Sequence, residues 1–251
     1  MPKVAQSNVA LLVSHRQLSL DLPEPPPPRP KRGGVRAGAG RKRAHPERRP
    51  SVPHVPRPAH APGMPVHVTL RARREVAFLR SEVVLGEVKG AFSRGQREDF
   101  RIVAFSVQRD HVHLVLESEG SERLRRGLQG LTTRLARAIN RALRRRGRVW
   151  ADRYHRRDLA NPAEVRTALV YVLQNGRKHG VVRPGALDPA SSASLFFGWT
   201  AEGDELRLAM NPPPVLRAPP ISLPRTWLGG VGWLLLGGGR IHPLEAPRPH
   251  A

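Results

Sequence analysis

The chain has 251 residues, no cysteine, and 43 Lys+Arg against 20 Asp+Glu, a formal net charge of +23. The missing cysteines exclude disulfides, thiolate nucleophiles and cysteine-ligated zinc or iron–sulfur centres, and the one-signed charge points to a polyanionic partner, nucleic acid before a membrane surface. No apolar run approaches the roughly 18 residues of a spanning helix; the best tract, Trp227 to Leu236, is short and broken by Gly229, Gly230 and Gly232. With no export signal read either, the expectation is a cytoplasmic, nucleoid-associated protein without a membrane partner.

Residues 1–62 carry Pro25-Pro26-Pro27-Pro28, the run Lys31-Arg32-Gly33-Gly34-Val35-Arg36 and Gly40-Arg41-Lys42-Arg43, with almost no apolar periodicity. Such a segment buries too little surface to offset its ordering entropy, so a disordered basic arm able to track phosphates is expected. The stretch Val66-His67-Val68-Thr69-Leu70-Arg71 alternates with period two and predicts a strand. Val76, Leu79, Val83, Val84 and Val88 recur near helical spacing and predict a helix over about Glu75 to Arg94.

Ile102 to Val107 and His111 to Glu117 are two apolar runs rich in β-formers, separated by Gln108-Arg109-Asp110, which reads as a hairpin. In the second run His111 and His113 must emerge on one face while Val112, Leu114 and Leu116 take the other. Two adjacent imidazoles on an otherwise open sheet face can chelate a divalent cation. Glu117 shares that face, but about 13 Å of strand separates it from His113, too far to join the same ion.

Ser121 is the expected cap of a long helix whose Leu124, Leu128, Leu131, Leu135, Ile139 and Leu143 form one apolar stripe. Arg134, Arg137, Arg141 and Arg144 lie mostly off the stripe, with Arg145 following, and acidic partners are scarce, so a phosphate-contacting face is expected. Arg153-Tyr154-His155-Arg156-Arg157 reads as a strand or loop. Asn161-Pro162-Ala163-Glu164 then has a cap, a first-turn proline and a Glu three residues on, and Gly176 marks the expected stop. Val165, Leu169 and Val172 give this helix a buried face; Tyr171 and Asn175, one turn apart, share a second stripe at its edge. Past residue 183 the pattern decays through Pro212-Pro213-Pro214 and a Gly-rich end. The expected organisation is an arm at 1–62, one folded domain at 63–182 and an irregular extension at 183–251.

Taken in order, Asp110-His111-Val112-His113-Leu114, Val149-Trp150-Ala151-Asp152-Arg153-Tyr154-His155 and Tyr171-Val172-Leu173-Gln174-Asn175 resemble the HUH single-tyrosine transposases, in particular the REP-associated tyrosine transposase subgroup. The Gly-Arg-Lys-Arg of the arm and Leu187-Asp188-Pro189-Ala190-Ser191-Ser192-Ala193 are similar to that group as well. Asn175-Gly176 stands where the family usually continues Asn-Pro. The resemblance implies an α+β, ferredoxin-like (RRM-like) antiparallel sheet with helices on one face. It also implies a catalytic Tyr171, and His111, His113 and Asn175 as ligands of Mg²⁺ or Mn²⁺, with Gln174 as the alternative to Asn175. An amide oxygen suits such a hard cation.

The implied reaction is cleavage and rejoining of single-stranded, hairpin-containing DNA through a covalent 5′-phosphotyrosine, by a homodimer. A phenol is largely protonated at neutral pH, so its attack needs charge nearby; Arg177 and Lys178, just past the tyrosine, are the expected suppliers and DNA contacts. Tyr154 is the rival nucleophile, being the only other tyrosine of the chain. Two other classes stay open. A nucleic-acid-binding protein without catalysis would keep its binding when Tyr171 is lost, and a metal-dependent hydrolase would need further ligands, of which no His-Glu-x-x-His pattern gives a sign.

Overall fold

In the computed structural model, residues 56–76, 78–210 and 218–247 are described. The basic tract of residues 31–43 and the prolines at 212–214 lie outside them. Strands β1 (Val66–Arg71), β2 (Phe100–Val107), β3 (His111–Ser118) and β4 (His155–Asp158) form one antiparallel sheet in the order β2-β3-β1-β4. With α1 (Glu82–Ser93) between β1 and β2, and α2 (Ser121–Ala142) between β3 and β4, the chain order is βαββαβ, the ferredoxin-like arrangement.

The alternation of β1 and β3 decides which face is which. Val66, Val68 and Leu70 of β1, with Val112, Leu114 and Leu116 of β3, are buried under α1 and α2 in the main core. The register sets Thr69 opposite His113 and Arg71 opposite His111, so the histidines share the other face with His67 and Thr69. In β2 a bulge between Ile102 and Ala104 shifts the alternation: Ile102 and Phe105 face the main core, Ala104 the opposite side. Where α2 crosses β2, a Cβ on Gly127 would lie 2.2 Å from the Phe100 ring, so this close crossing requires glycine.

The histidine face is only partly open. Helix α3 (Pro162–Leu173) packs on it, and Val165, Leu169, Val172 and Leu173 join Ala104 and Val115 in a second core. That core is completed by Trp199, Trp233 and Ile241 from beyond residue 183. The C-terminal part, expected to be irregular, contains α5 (Ala201–Met210) and a π turn, Leu228–Gly232, running into α6 (Trp233–Leu236). It is tied to the sheet through Glu117. That carboxylate is fully buried, pairs with Arg101 at 3.3 Å, and accepts from the Arg225 and Thr226 amides at 2.7 and 3.1 Å.

Local departures from the sequence reading have physical causes. The first helix begins at Glu82 rather than near Glu75 because Phe78 adopts a left-handed φ of 83°, which lets the Phe78 and Leu79 amides both donate to the Arg109 carbonyl. Ser121 does not cap α2; Gly120 does, with φ 93°, while Ser121 Oγ accepts from the His60 amide at 2.6 Å. Residues 56–62, the end of the expected arm, are thereby held against the domain, with His60 Nδ1 3.3 Å from Asp158.

Candidate active site

Helix α3 starts as its sequence dictates. Asn161 Oδ1 accepts from the Glu164 amide at 2.9 Å, and Glu164 reaches back to accept from the Ala160 amide at 2.8 Å. The helix does not run to Gly176. It ends at Leu173, Gln174 leaves helical geometry (φ −109°, ψ 15°), and a single further turn, α4 (Asn175–Lys178), follows. Gly176 lies inside that turn for a reason of space: a Cβ there would come within 2.4 Å of Asp188, whose carboxylate is held by Arg80 at 2.8 and 2.9 Å. The Leu187-to-Ala193 segment thus clamps the turn that carries Asn175.

Four of the predicted groups, His111, His113, Tyr171 and Lys178, gather on the histidine face. The His111 and His113 rings stand 4.8 Å apart, nearly perpendicular, and the Tyr171 ring meets His113 edge-on at 5.1 Å. Lys178 Nζ sits 4.8 Å from the centre of the Tyr171 ring. Asn175 is fully buried, and neither Oδ1 nor Nδ2 has a hydrogen-bond partner. A buried amide left with both ends unsatisfied costs about 1–3 kcal/mol per group and asks for a ligand. Gln174 is engaged elsewhere: it donates to the His242 carbonyl at 2.9 Å and accepts from Arg177 at 2.5 Å.

The structure adds partners that spacing did not reveal. His111 Nδ1 lies 2.7 Å from an Asp110 oxygen, and Asp110 also meets Arg71 at 3.3 Å. Burial alone would raise the Asp110 pKa; the hydrogen bond from His111 and the neighbouring His111 and Arg71 charges outweigh it and hold the carboxyl below its usual range. His113 Nδ1 contacts His67 Nε2 at 3.2 Å and Thr69 Oγ1 at 3.1 Å. His179, past α4, packs its ring 5.4 Å from His111, and burial, then His111 and Lys178, push its pKa down.

The side chains are of a kind that suits a hard divalent cation: two imidazoles side by side, each with Nδ1 engaged, and a buried amide without partners. Among the described residues no three His, Cys, Asp or Glu side chains form a metal-binding group. Tyr154 is elsewhere. Its ring packs against the main core with the Arg57 guanidinium 3.9 Å above it.

The basic residues divide. Arg177 is committed to structure, donating to the Pro243 and Leu244 carbonyls as well as to Gln174, and does not join the tyrosine cluster. Arg141 pairs with Glu87, and Arg145 donates to Asn140 at 3.0 Å. At the start of α2, hydrogen bonds from Arg125 and Arg126 hold the Glu122 pKa down to about 2. Arg134, Arg137 and Arg144 are exposed and make no ion pair with a described acid. Because α2 covers the opposite face of the sheet, these arginines are remote from the histidines. Arg137 lines a cleft of about 440 Å³ with Arg148, Trp150 and Arg153. Among the described residues no helix is long and apolar enough to cross a membrane.

Comparison with known proteins bears on this arrangement. No curated protein matches the chain. A solved structure, described as a REP-associated tyrosine transposase bound to a REP hairpin, is similar with a TM-score of 0.47 and 19% identity, over 56% of this chain and 82% of that one. Residues 61–175 match the family model described as "Transposase IS200 like". That stretch opens just before β1 and closes on Asn175, and it includes both histidines and the tyrosine.

Proposed function

We propose that this protein cuts and rejoins single-stranded, hairpin-containing DNA, with Tyr171 as nucleophile and His111, His113 and Asn175 as ligands of Mg²⁺ or Mn²⁺. The observation that carries the reading is the meeting of Tyr171 with His113 at 5.1 Å, with His111 4.8 Å from His113; the buried, unpartnered amide of Asn175, in the turn after the tyrosine helix, supports it. When bound, the cation would polarise a non-bridging oxygen of the scissile phosphate.

The chain's own groups do the rest. The Tyr171 oxygen loses its proton and attacks phosphorus. A tyrosine–phosphate bond forms at the 5′ side as the bond to the 3′ oxygen breaks, and that oxygen leaves as a hydroxyl after taking up a proton. Rejoining is the reverse attack by a 3′ hydroxyl, so no nucleotide hydrolysis is needed. The Lys178 ammonium lies over the Tyr171 ring, close enough to meet a phosphate brought to that tyrosine. Asp110 and the His67–Thr69 pair hold the two imidazoles in place. Tyr171 and the two histidines meet within one copy of the chain, and a homodimer would hold two DNA ends. The exposed Arg134, Arg137 and Arg144, with Arg141 and Arg145, would contact flanking phosphates away from the cut.

The test is incubation of end-labelled hairpin oligonucleotides from the flanks of the gene with Mg²⁺ or Mn²⁺, for the wild type, Tyr171→Phe and His113→Ala, on denaturing gels. The expected result is a metal-dependent covalent adduct in the wild type and none in either variant. Binding without an adduct in the wild type would replace this reading with that of a non-catalytic nucleic-acid-binding protein.

A further inference from the structure

We propose that His67 is a positioning residue for the metal centre: it fixes the tautomer and ring orientation of His113, so that Nε2 and not Nδ1 presents the lone pair. The inference rests on the metal-centre reading above and adds a residue to it.

His67 occupies a strand position where a β-branched side chain would serve the sheet equally well. Its imidazole is 7% exposed, with Nε2 3.2 Å from His113 Nδ1 and the two rings stacked at 5.3 Å. Its edge meets Tyr171 at 5.8 Å, so His67, His113 and Tyr171 form a triangle of mutual contacts.

A neutral imidazole has one N–H and one lone pair. Two ring nitrogens 3.2 Å apart in a buried site share one proton between them. If it sits on His113 Nδ1, donated toward His67 Nε2 and Thr69 Oγ1, the His113 lone pair is on Nε2 and available to a cation. If it sits on His67 Nε2, His113 carries its own proton on Nε2 and cannot ligate there. His111 solves the same problem with a carboxylate, Asp110, 2.7 Å from its Nδ1. The two ligands therefore have like orientation but unlike partners, an anion for His111 and a neutral acceptor for His113.

The experiment uses the full chain. Mn²⁺ binding is measured by electron paramagnetic resonance for the wild type, His67→Phe, which fills the space without a nitrogen, and His67→Gln, which restores an acceptor. The histidine tautomers of the metal-free wild type are read from long-range ¹H–¹⁵N correlation spectra. The expected result is the Nδ1–H form of His113, a loss of Mn²⁺ affinity of about 10–100-fold in His67→Phe, and recovery to within a few-fold in His67→Gln.

Unchanged Mn²⁺ affinity in His67→Phe overturns the proposal and leaves the metal centre standing; so does equal loss in both variants. An Nε2–H form of His113 in the wild type overturns it without reference to any variant. A wild type that binds no Mn²⁺ removes the metal centre itself, and this inference with it.

Discussion

Asn175 is the residue whose energetics and function pull in opposite directions. Its amide is fully buried with both polar atoms unsatisfied, which costs stability, while the proposed function uses its oxygen as a ligand. Asn175→Leu is therefore expected to leave thermal stability in EDTA unchanged or higher, by up to about 1–3 kcal/mol, while abolishing the metal-dependent adduct. A melting temperature several degrees lower would mean that the amide has a structural partner. At this scale the sequence was informative about identity and silent about support. That His111 and His113 share a face was legible because the strand period puts them there; the helix period did not reach Asn175, since the tyrosine helix ends at Leu173. His67 and Thr69 were not legible, because their part depends on the register that sets Thr69 opposite His113, and strand register is a long-range property. Arg177 illustrates the reverse case: its position after the tyrosine suggested a charge for the phenol, but its guanidinium is consumed by backbone carbonyls near residue 243.

Among the elements, α2 and α3 were the most readable, since an apolar stripe and a cap are local signals. The glycines of the helices show what such signals leave out. Gly86, exposed in α1, has no atom within 4 Å of an added Cβ, whereas on Gly127 in α2 that Cβ would strike Phe100. Gly86→Ala is expected to stabilise the fold by about 0.5–1 kcal/mol through the lower entropy of its unfolded chain. Gly127→Ala should instead destabilise it by about 1–3 kcal/mol through overpacking. Urea unfolding of the two variants checks this pair, and equal effects would show that α2 does not approach β2 so closely. The same logic applies to Gly176, read from sequence as a helix stop and found instead where Asp188 leaves no room for a side chain.

At the scale of the molecule, one buried carboxylate is a prominent link between the C-terminal part and the sheet, beside backbone hydrogen bonds such as Ser222 N–H to the Ile102 carbonyl at 2.8 Å. Glu117 has Arg101 on one side and the Arg225 and Thr226 amides on the other, all inside the protein. Glu117→Ala leaves the Arg101 guanidinium, only 8% exposed, without its counter-charge. A loss of about 3–5 kcal/mol in chemical denaturation is expected, together with earlier proteolytic release of residues 218–247. A loss under about 1 kcal/mol would show that the extension is held by Trp199, Trp233 and Ile241 and its backbone hydrogen bonds.

By itself the sequence determined three of the four strands, among them the one carrying the histidine pair, the long α2 and the capped start of the tyrosine helix, and a one-signed charge suited to a polyanion, because period, cap chemistry and charge act over a few residues. Tertiary structure alone decided that α3 lies on the histidine face, that Tyr171 meets His113, and that residues past 183 complete a second core. Trp199, Trp233 and Ile241 are scattered without period among glycines and prolines, and only their burial against α3 makes them a core. The difference in surroundings between Asn175 and Gln174 is likewise tertiary. The two amides are neighbours of the same class, and what separates them is that the Gln174 side chain is bonded to His242 and Arg177 while the Asn175 side chain is bonded to nothing.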